Sequence, residues 1–312
     1  MGHELSIIMP LYGKRGYTER YVRYFSAEAP RNVKLLLFDA DHQLEKLKLD
    51  VPDNVVLDSI LMDGSPGTYA KSMCEMLSRV TTEFAMLNDN DDFPYFPGVV
   101  EAMKRLESDS SIEWVGGNIG HFFRTPFGRQ VFLRDKTGRG HRTILEKLTN
   151  KYQYEWYNVF RSSTLKNLFE KMIDSCPVEW KHLEIFQTLY CSLLRGTYLD
   201  NYIYFREVFV KNSSASLSRA VGIHEDFIRS AVGILCRINE ANLERSEIEP
   251  LLRNLLLKFH DRRRMYAKLF MQIVLAHWGA LDWLDRELAE HSEFCEADFR
   301  RASGLSGQYY VA

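Results

Sequence analysis

The sequence predicts an α/β protein, with a mostly parallel sheet interleaved with helices and a C-terminal α-helical region after it. Three observations predict this. Apolar runs of strand length recur at residues 5–11 (LSIIMPL), 33–38 (VKLLLF) and 84–87 (FAML). Between them lie segments with helical spacing, and strand–helix–strand in this order is the pattern of right-handed crossovers in a parallel sheet. From residue 223 to about 291 helical periodicity dominates, with little Gly or Pro to interrupt it.

Taken in order, the first strand ends at Pro10, and a polar stretch from Tyr12 leads into a helix running through Phe25. The second strand runs into Asp39 and Asp41, and residues 54–60 form a third before the loop Gly64-Ser65-Pro66-Gly67. Residues 68–80 read as a helix, because Tyr69, Met73, Met76 and Leu77 recur at helical period. The run 84–87 then delivers Asn88-Asp89-Asn90-Asp91-Asp92, closed by Pro94 and Pro97. Asp92 also reads as the cap of a helix from about Pro97 to Glu107.

Residues 112–117 (IEWVGG) predict a core strand, and 121–133 a hairpin around Pro126-Phe127-Gly128. The basic, Gly-rich stretch 135–142 (DKTGRGHR) suits a substrate flap. A strand is expected at 155–160, helices at 163–173 and 178–194, and a strand at 197–208. The small, polar run 213–222 (SSASLSRAVG) reads as a linker, which divides the chain into units 1–215 and 216–312.

Composition narrows the function. A net charge of −2 over 312 residues argues against nucleic acid as a partner. Cys74, Cys176, Cys191, Cys236 and Cys295 are odd in number and widely spaced, with no C-x-x-C, so reduced thiols in a cytoplasmic protein are expected. The first residues lack the basic and apolar regions of a signal peptide. The most apolar later stretch, 265–284, carries Lys268, Gln272, His277 and Asp282, which predicts a buried helix instead of a membrane span. An aromatic share of 13% suits a cleft that stacks on sugars or bases, although core packing accounts for most of it.

The acidic run carries the chemistry. In extended chain Asp89 and Asp91 point the same way and can share one cation. Carboxylates are hard ligands that suit Mg²⁺ or Mn²⁺, ions that usually arrive with substrate phosphates. Strands that each end in Asp bring their acids to one cleft at the carboxyl edge of such a sheet. Glu184 sits among Leu183, Ile185, Phe186 and Leu189, where partial desolvation would raise its pKa and make it a better general base. His224, just after the linker, is placed to close over a diphosphate as a metal or phosphate ligand.

In this order LSIIMPLYGK, LLLFDAD and GSPGTYAKSMCEMLSRVTTEFAMLNDNDDF resemble the nucleotide-sugar half of a GT-A (Rossmann-like) glycosyltransferase, and most of all the large inverting family 2. The resemblance implies that Asp39 reads the base, that Lys71 is the basic residue at a helix start, and that Asp89 and Asp91 form the metal motif. It implies a nucleotide-diphosphate sugar donor, UDP-linked in the first place, held by Pro10, Tyr12, Asp39, Lys71, Asp89 and Asn90. A glycan or lipid-linked acceptor in bacterial surface polysaccharide synthesis also follows from it. Two positions depart from the family pattern: Ile185 stands where an Asp, commonly the catalytic base, follows the Glu, and Ser72 stands where Asn is usual. The basic run from Lys258 to Arg264 suits peripheral contact with anionic lipid at the inner face of a membrane. Two other readings are open: a degenerate GT-A-like protein that only binds carbohydrate or a partner, and a haloacid-dehalogenase-like phosphatase built on Asp39 and Asp41.

Overall fold

The computed structural model describes residues 4–11, 15–39, 57–61, 69–124, 130–134, 144–149, 155–173, 180–207, 225–238, 242–259 and 309–311. The first four expected strands and the two helices between them form close to where the sequence places them. Strand β1 (Leu5–Leu11) lies between β2 (Val33–Asp39) and β4 (Phe84–Leu87), parallel to both, and β3 (Leu57–Leu61) extends the parallel ladder beyond β2. Helices α1 (Arg15–Glu28) and α2 (Tyr69–Ser78) supply crossovers. These strands read as unbroken apolar runs because both faces are covered, and Leu5, Ile7, Ile8 and Leu35 are fully buried. Pro10 is tolerated because β4 stops pairing at Ile8, so β1 beyond that point has only β2 beside it.

Past β4 the sheet becomes mixed. β8 (Val159–Arg161) runs antiparallel to β4 and to β6 (Trp114–Arg124), and β7 (Gln130–Arg134) forms the expected hairpin with β6, its turn at 125–129 lying outside the described residues. β9 (Gly196–Glu207) runs parallel to β6, and its end pairs with β5 (Asp92–Pro94). The parallel order expected from the crossovers therefore holds from β3 to β4. Hairpins and returning strands impose antiparallel pairing on the rest, except where β9 runs parallel to β6.

Helix α3 (Phe96–Ser108) starts from Tyr95, not Asp92, and has no side-chain cap. Its starting turn is fixed instead by the Tyr95 N–H, which donates to the Ile203 carbonyl at 2.9 Å. The aromatic richness is core packing to a large extent: Tyr21, Tyr24, Phe25, Phe93 and Phe96 form one buried cluster between α1, β5 and α3, with Tyr24 and Phe93 meeting edge to face at 4.9 Å.

Helices α4 (Ile144–Thr149), α5 (Ser162–Ile173) and α6 (Trp180–Cys191) follow, with α7 (Glu225–Ile238) packed on α6 and α8 (Arg245–Phe259) packed on α4 and α7. The expected linker, the flap at 135–142, the apolar stretch 265–284 and all of the basic run beyond Phe259 lie outside the described residues. β10 (Tyr309–Val311) pairs antiparallel with β7, so a division of the chain at residue 215 separates this strand from the sheet it joins. Among the described residues Cys74, Cys191 and Cys236 are free thiols, and no helix is long and apolar enough to cross a membrane.

Candidate functional site

The carboxyl edge of the parallel ladder carries the acidic groups. Asp39 ends β2 opposite Leu11 of β1, and the acidic turn begins where β4 stops, with the Asn88 N–H donating to the Ile8 carbonyl at 2.9 Å. One strand separates β2 from β4. Neighbouring strands lie about 4.8 Å apart, which puts Asp39 roughly 10 Å from the acidic turn along the edge. Asp39 is 3% exposed.

Ligand oxygens of Asp89, Asp91 and Asp92 all lie within 4.8 Å of one another. The turn is fixed from inside by Asn88, whose Nδ2 donates to the carbonyls of Asp89 at 2.8 Å and Asp92 at 2.9 Å. Asn90 donates from Nδ2 to Thr18 Oγ1 on α1 at 2.9 Å, which makes it a tie to the first crossover helix. Asp92 is the most deeply buried member, at 2% exposure, and belongs to β5 instead of capping a helix. Its carboxylate meets the Tyr157 hydroxyl, accepts from the Glu207 N–H at 3.2 Å, and lies 3.9 Å from Arg206 Nε. Behind it Arg20 is sandwiched 4.7 Å from the Tyr17 and Phe93 rings and pairs with Glu207 at 2.7 Å.

Burial, and then the charges of Asp91 and Asp89, push the Asp92 carboxyl well above the usual carboxylate range, against the opposing pull of Arg206 and the Tyr157 hydrogen bond. Burial followed by Asp89 and Asp92 holds the Tyr157 phenol well above its ordinary value, so it stays a donor at working pH, and it donates to Asp89 Oδ2 at 2.8 Å. Three hard oxygen donors in such surroundings fit a divalent cation such as Mg²⁺ or Mn²⁺.

A raised carboxyl costs stability in full above its folded pKa, and the cost shrinks as pH falls from there and is gone below the unfolded value. In EDTA this group should therefore add thermal stability as pH is lowered toward the ordinary carboxylate range. Asp92→Asn should raise the melting temperature at neutral pH and flatten that slope. Melting curves across pH check both, and an unchanged slope in Asp92→Asn would count against the assignment.

Glu184 lies on α6 and is 6% exposed, so it is desolvated as its apolar neighbours predict. Thr188 and Gln187 share its face at helical spacing, and both bind Glu155: Thr188 Oγ1 accepts the Glu155 N–H at 3.3 Å, and Gln187 Nε2 donates to the Glu155 carbonyl at 3.2 Å. The far end of α6 is tied to the start of β6, where Trp114 Nε1 donates to the Cys191 carbonyl at 3.0 Å. The face of α6 that carries Glu184 is thus the one that meets the Glu155 turn. Ile185 is fully buried. Lys71 is exposed in the first turn of α2, and Pro10 is the penultimate residue of β1. Tyr12 and His224 lie outside the described residues. Tyr157 and the Glu207 N–H escape sequence reasoning, because their partners lie 65 and 115 residues away.

No protein-family model and no curated protein matches the chain. Crystal structures of S. aureus TarS, a GT-A-type glycosyltransferase, are similar to it. For TarS 1-349 in complex with UDP the identity is 17% and the TM-score 0.50, over 81% of this chain and 70% of that one. For TarS 1-349 in complex with UDP-GlcNAc the identity is 19% and the TM-score 0.49, over 81% and 71%. Against a further TarS structure the identity is 18% and the TM-score 0.49, and the chain spans 43% of that protein's length. Together with the parallel β3-β2-β1-β4 ladder and its acidic edge, the likeness to the UDP complex establishes one thing about this chain: it has the GT-A fold.

Proposed function

We propose that the protein is a metal-assisted glycosyltransferase. It takes a sugar from a nucleotide diphosphate, UDP in the first place, and passes it with inversion to a hydroxyl of a glycan or lipid-linked acceptor in bacterial surface polysaccharide synthesis. One observation carries the reading: Asp39 and the Asp89–Asp91–Asp92 cluster share one sheet edge, a single strand apart. That separation suits a ligand with a base at one end and phosphates at the other. The choice of UDP draws on the UDP complex of the TarS structure.

In this reading Asp39 accepts a hydrogen bond from the base, while Pro10, Tyr12, Lys71 and Asn90 line the donor path. Asp89 and Asp91, with His224 as a further ligand, hold Mn²⁺ or Mg²⁺, which supplies positive charge against the charge the departing diphosphate gains. Glu184 takes the proton of the acceptor hydroxyl as its oxygen bonds to the anomeric carbon and the bond to the diphosphate breaks. Phosphate ester hydrolysis by a haloacid-dehalogenase route has no support in the GT-A fold.

Glu184→Gln should lower kcat by about a hundredfold or more while leaving donor affinity nearly unchanged, because removing a general base removes a transition-state contact. A parallel loss of donor affinity would shift Glu184 from catalysis to binding. The buried Ile185, at the family's Asp position, favours a second reading in which the site binds sugar without turnover. Thermal shift with a panel of nucleotide-diphosphate sugars, with and without Mn²⁺, followed by assay of UDP release, separates the two. Stabilisation with release supports transfer, stabilisation without release supports the binding protein, and no stabilisation by any donor overturns both.

A further inference from the structure

The turn that carries Tyr157 is held by a buried ion pair. Lys147 on α4 is 2% exposed and Glu155 is 1% exposed, with Nζ and Oε1 3.2 Å apart. The Glu155 carboxylate also accepts from Asn158 Nδ2 at 2.8 Å and from the Tyr198 hydroxyl on β9. Lys147 donates to the Thr188 carbonyl at 3.3 Å, and the Asn158 N–H closes the turn onto the Glu155 carbonyl at 3.3 Å. With the Thr188 and Gln187 contacts already described, three elements, α4, α6 and β9, converge on this one residue. β6 leaves room for the cluster: a Cβ at Gly116 would fall 2.7 Å from Asn158 Oδ1 and 2.9 Å from the Tyr198 ring.

Burying two charges is costly, and their attraction in the interior offsets that cost only when the geometry is good and the remaining lone pairs are satisfied. Such a pair adds little stability over an apolar filling of the same volume. It does impose a single geometry on the backbone that carries it. Two residues beyond Glu155, the Tyr157 ring packs 4.0 Å from Tyr204, and its hydroxyl reaches both Asp89 and Asp92.

We propose that the Lys147–Glu155 pair is a positioning device for the divalent-cation site: it locks the 155–158 turn, which sets the Tyr157 hydroxyl and with it the spacing of Asp89 and Asp92. The proposal rests on the metal reading of that cluster. Lys147 and Glu155 act through Tyr157 and touch neither cation nor donor. Groups that orient metal ligands from behind typically alter metal affinity by about tenfold to a hundredfold.

The test is Mn²⁺ affinity of the full chain by calorimetry, with the melting temperature recorded for every variant. Tyr157→Phe should bind Mn²⁺ about tenfold more weakly while staying folded. Removing one charge alone leaves the other buried and unpaired and risks unfolding, so the pair is removed together as Lys147→Met with Glu155→Gln. This double variant should show a similar loss, and adding Tyr157→Phe to it should weaken binding little further, because all three changes break one path. If the double variant does not fold, Tyr198→Phe removes a single hydrogen bond to Glu155 and should still weaken Mn²⁺ binding severalfold. Unchanged affinity in the folded variants, or losses that multiply when combined, would overturn the positioning role alone. Failure of the unaltered protein to bind Mn²⁺ would overturn the metal reading and this proposal with it.

Discussion

Asp91→Ala should reduce donor turnover by about a hundredfold or more, the scale seen when one preorganised electrostatic group is removed from an active site. Asp91 is buried, and its carboxylate belongs to the cluster that pushes Asp92 upward. Removing it therefore has two effects of opposite sign. The metal-free protein should melt at a slightly higher temperature, because one of the charges repelling Asp92 is gone. Stabilisation by Mn²⁺ together with a UDP-sugar should fall sharply, because the cation loses one of its two proposed carboxylate ligands. A variant that is merely misfolded would lose both. Donor affinity equal to that of the unaltered protein would remove the acidic turn from the site altogether.

Gly98→Ala should be the most damaging small substitution in the core. A Cβ at Gly98 on α3 would lie 1.7 Å from the Tyr202 carbonyl oxygen and 2.9 Å from its carbon, both of them backbone atoms of β9. No rotamer change relieves a clash with backbone, so α3 must move away from the strand that carries Arg206 and Glu207. A loss of about 3 kcal/mol or more is expected, or roughly 5 °C in melting temperature for a chain of 312 residues. Gly233 on α7 is the control, since a Cβ there meets nothing within 4 Å. Gly233→Ala should stabilise by about 0.5–1 kcal/mol through helix propensity alone. Thermal melts of the two variants give the comparison, and a Gly98→Ala protein as stable as its parent would mean that α3 and β9 are not held as described.

Much of this was legible in the sequence where the signal is local. The runs at β1, β2 and β4 are apolar because both faces are covered, and the acids follow because those strands end at an edge. What depends on distant partners was not legible. Residues 155–160 read as a strand, yet only Val159–Arg161 forms one, because Glu155 is bound by Lys147, Thr188 and Tyr198 in a way that bends the preceding residues into a turn. Asp92 read as a helix cap, and it is a strand residue because β9, more than a hundred residues later, offers Arg206 as its ladder partner. The direction of β8 was equally hidden: three buried residues carry the same pattern whichever way they run. Glu184 was identified by its apolar neighbours. The face it shares with Thr188 and Gln187, and the contact of that face with Glu155, came only from the packing of α6.

The acidic turn has almost no slack. It leaves the β1–β4 ladder at Leu87 and enters the β5–β9 ladder at Asp92, so four residues are pinned at both ends. A loop of that kind has little conformational freedom left to surrender when a ligand arrives, and contact energy then appears in affinity with little deducted for ordering. Discrimination among donors should accordingly fall on how fast each one leaves, with arrival rates much alike.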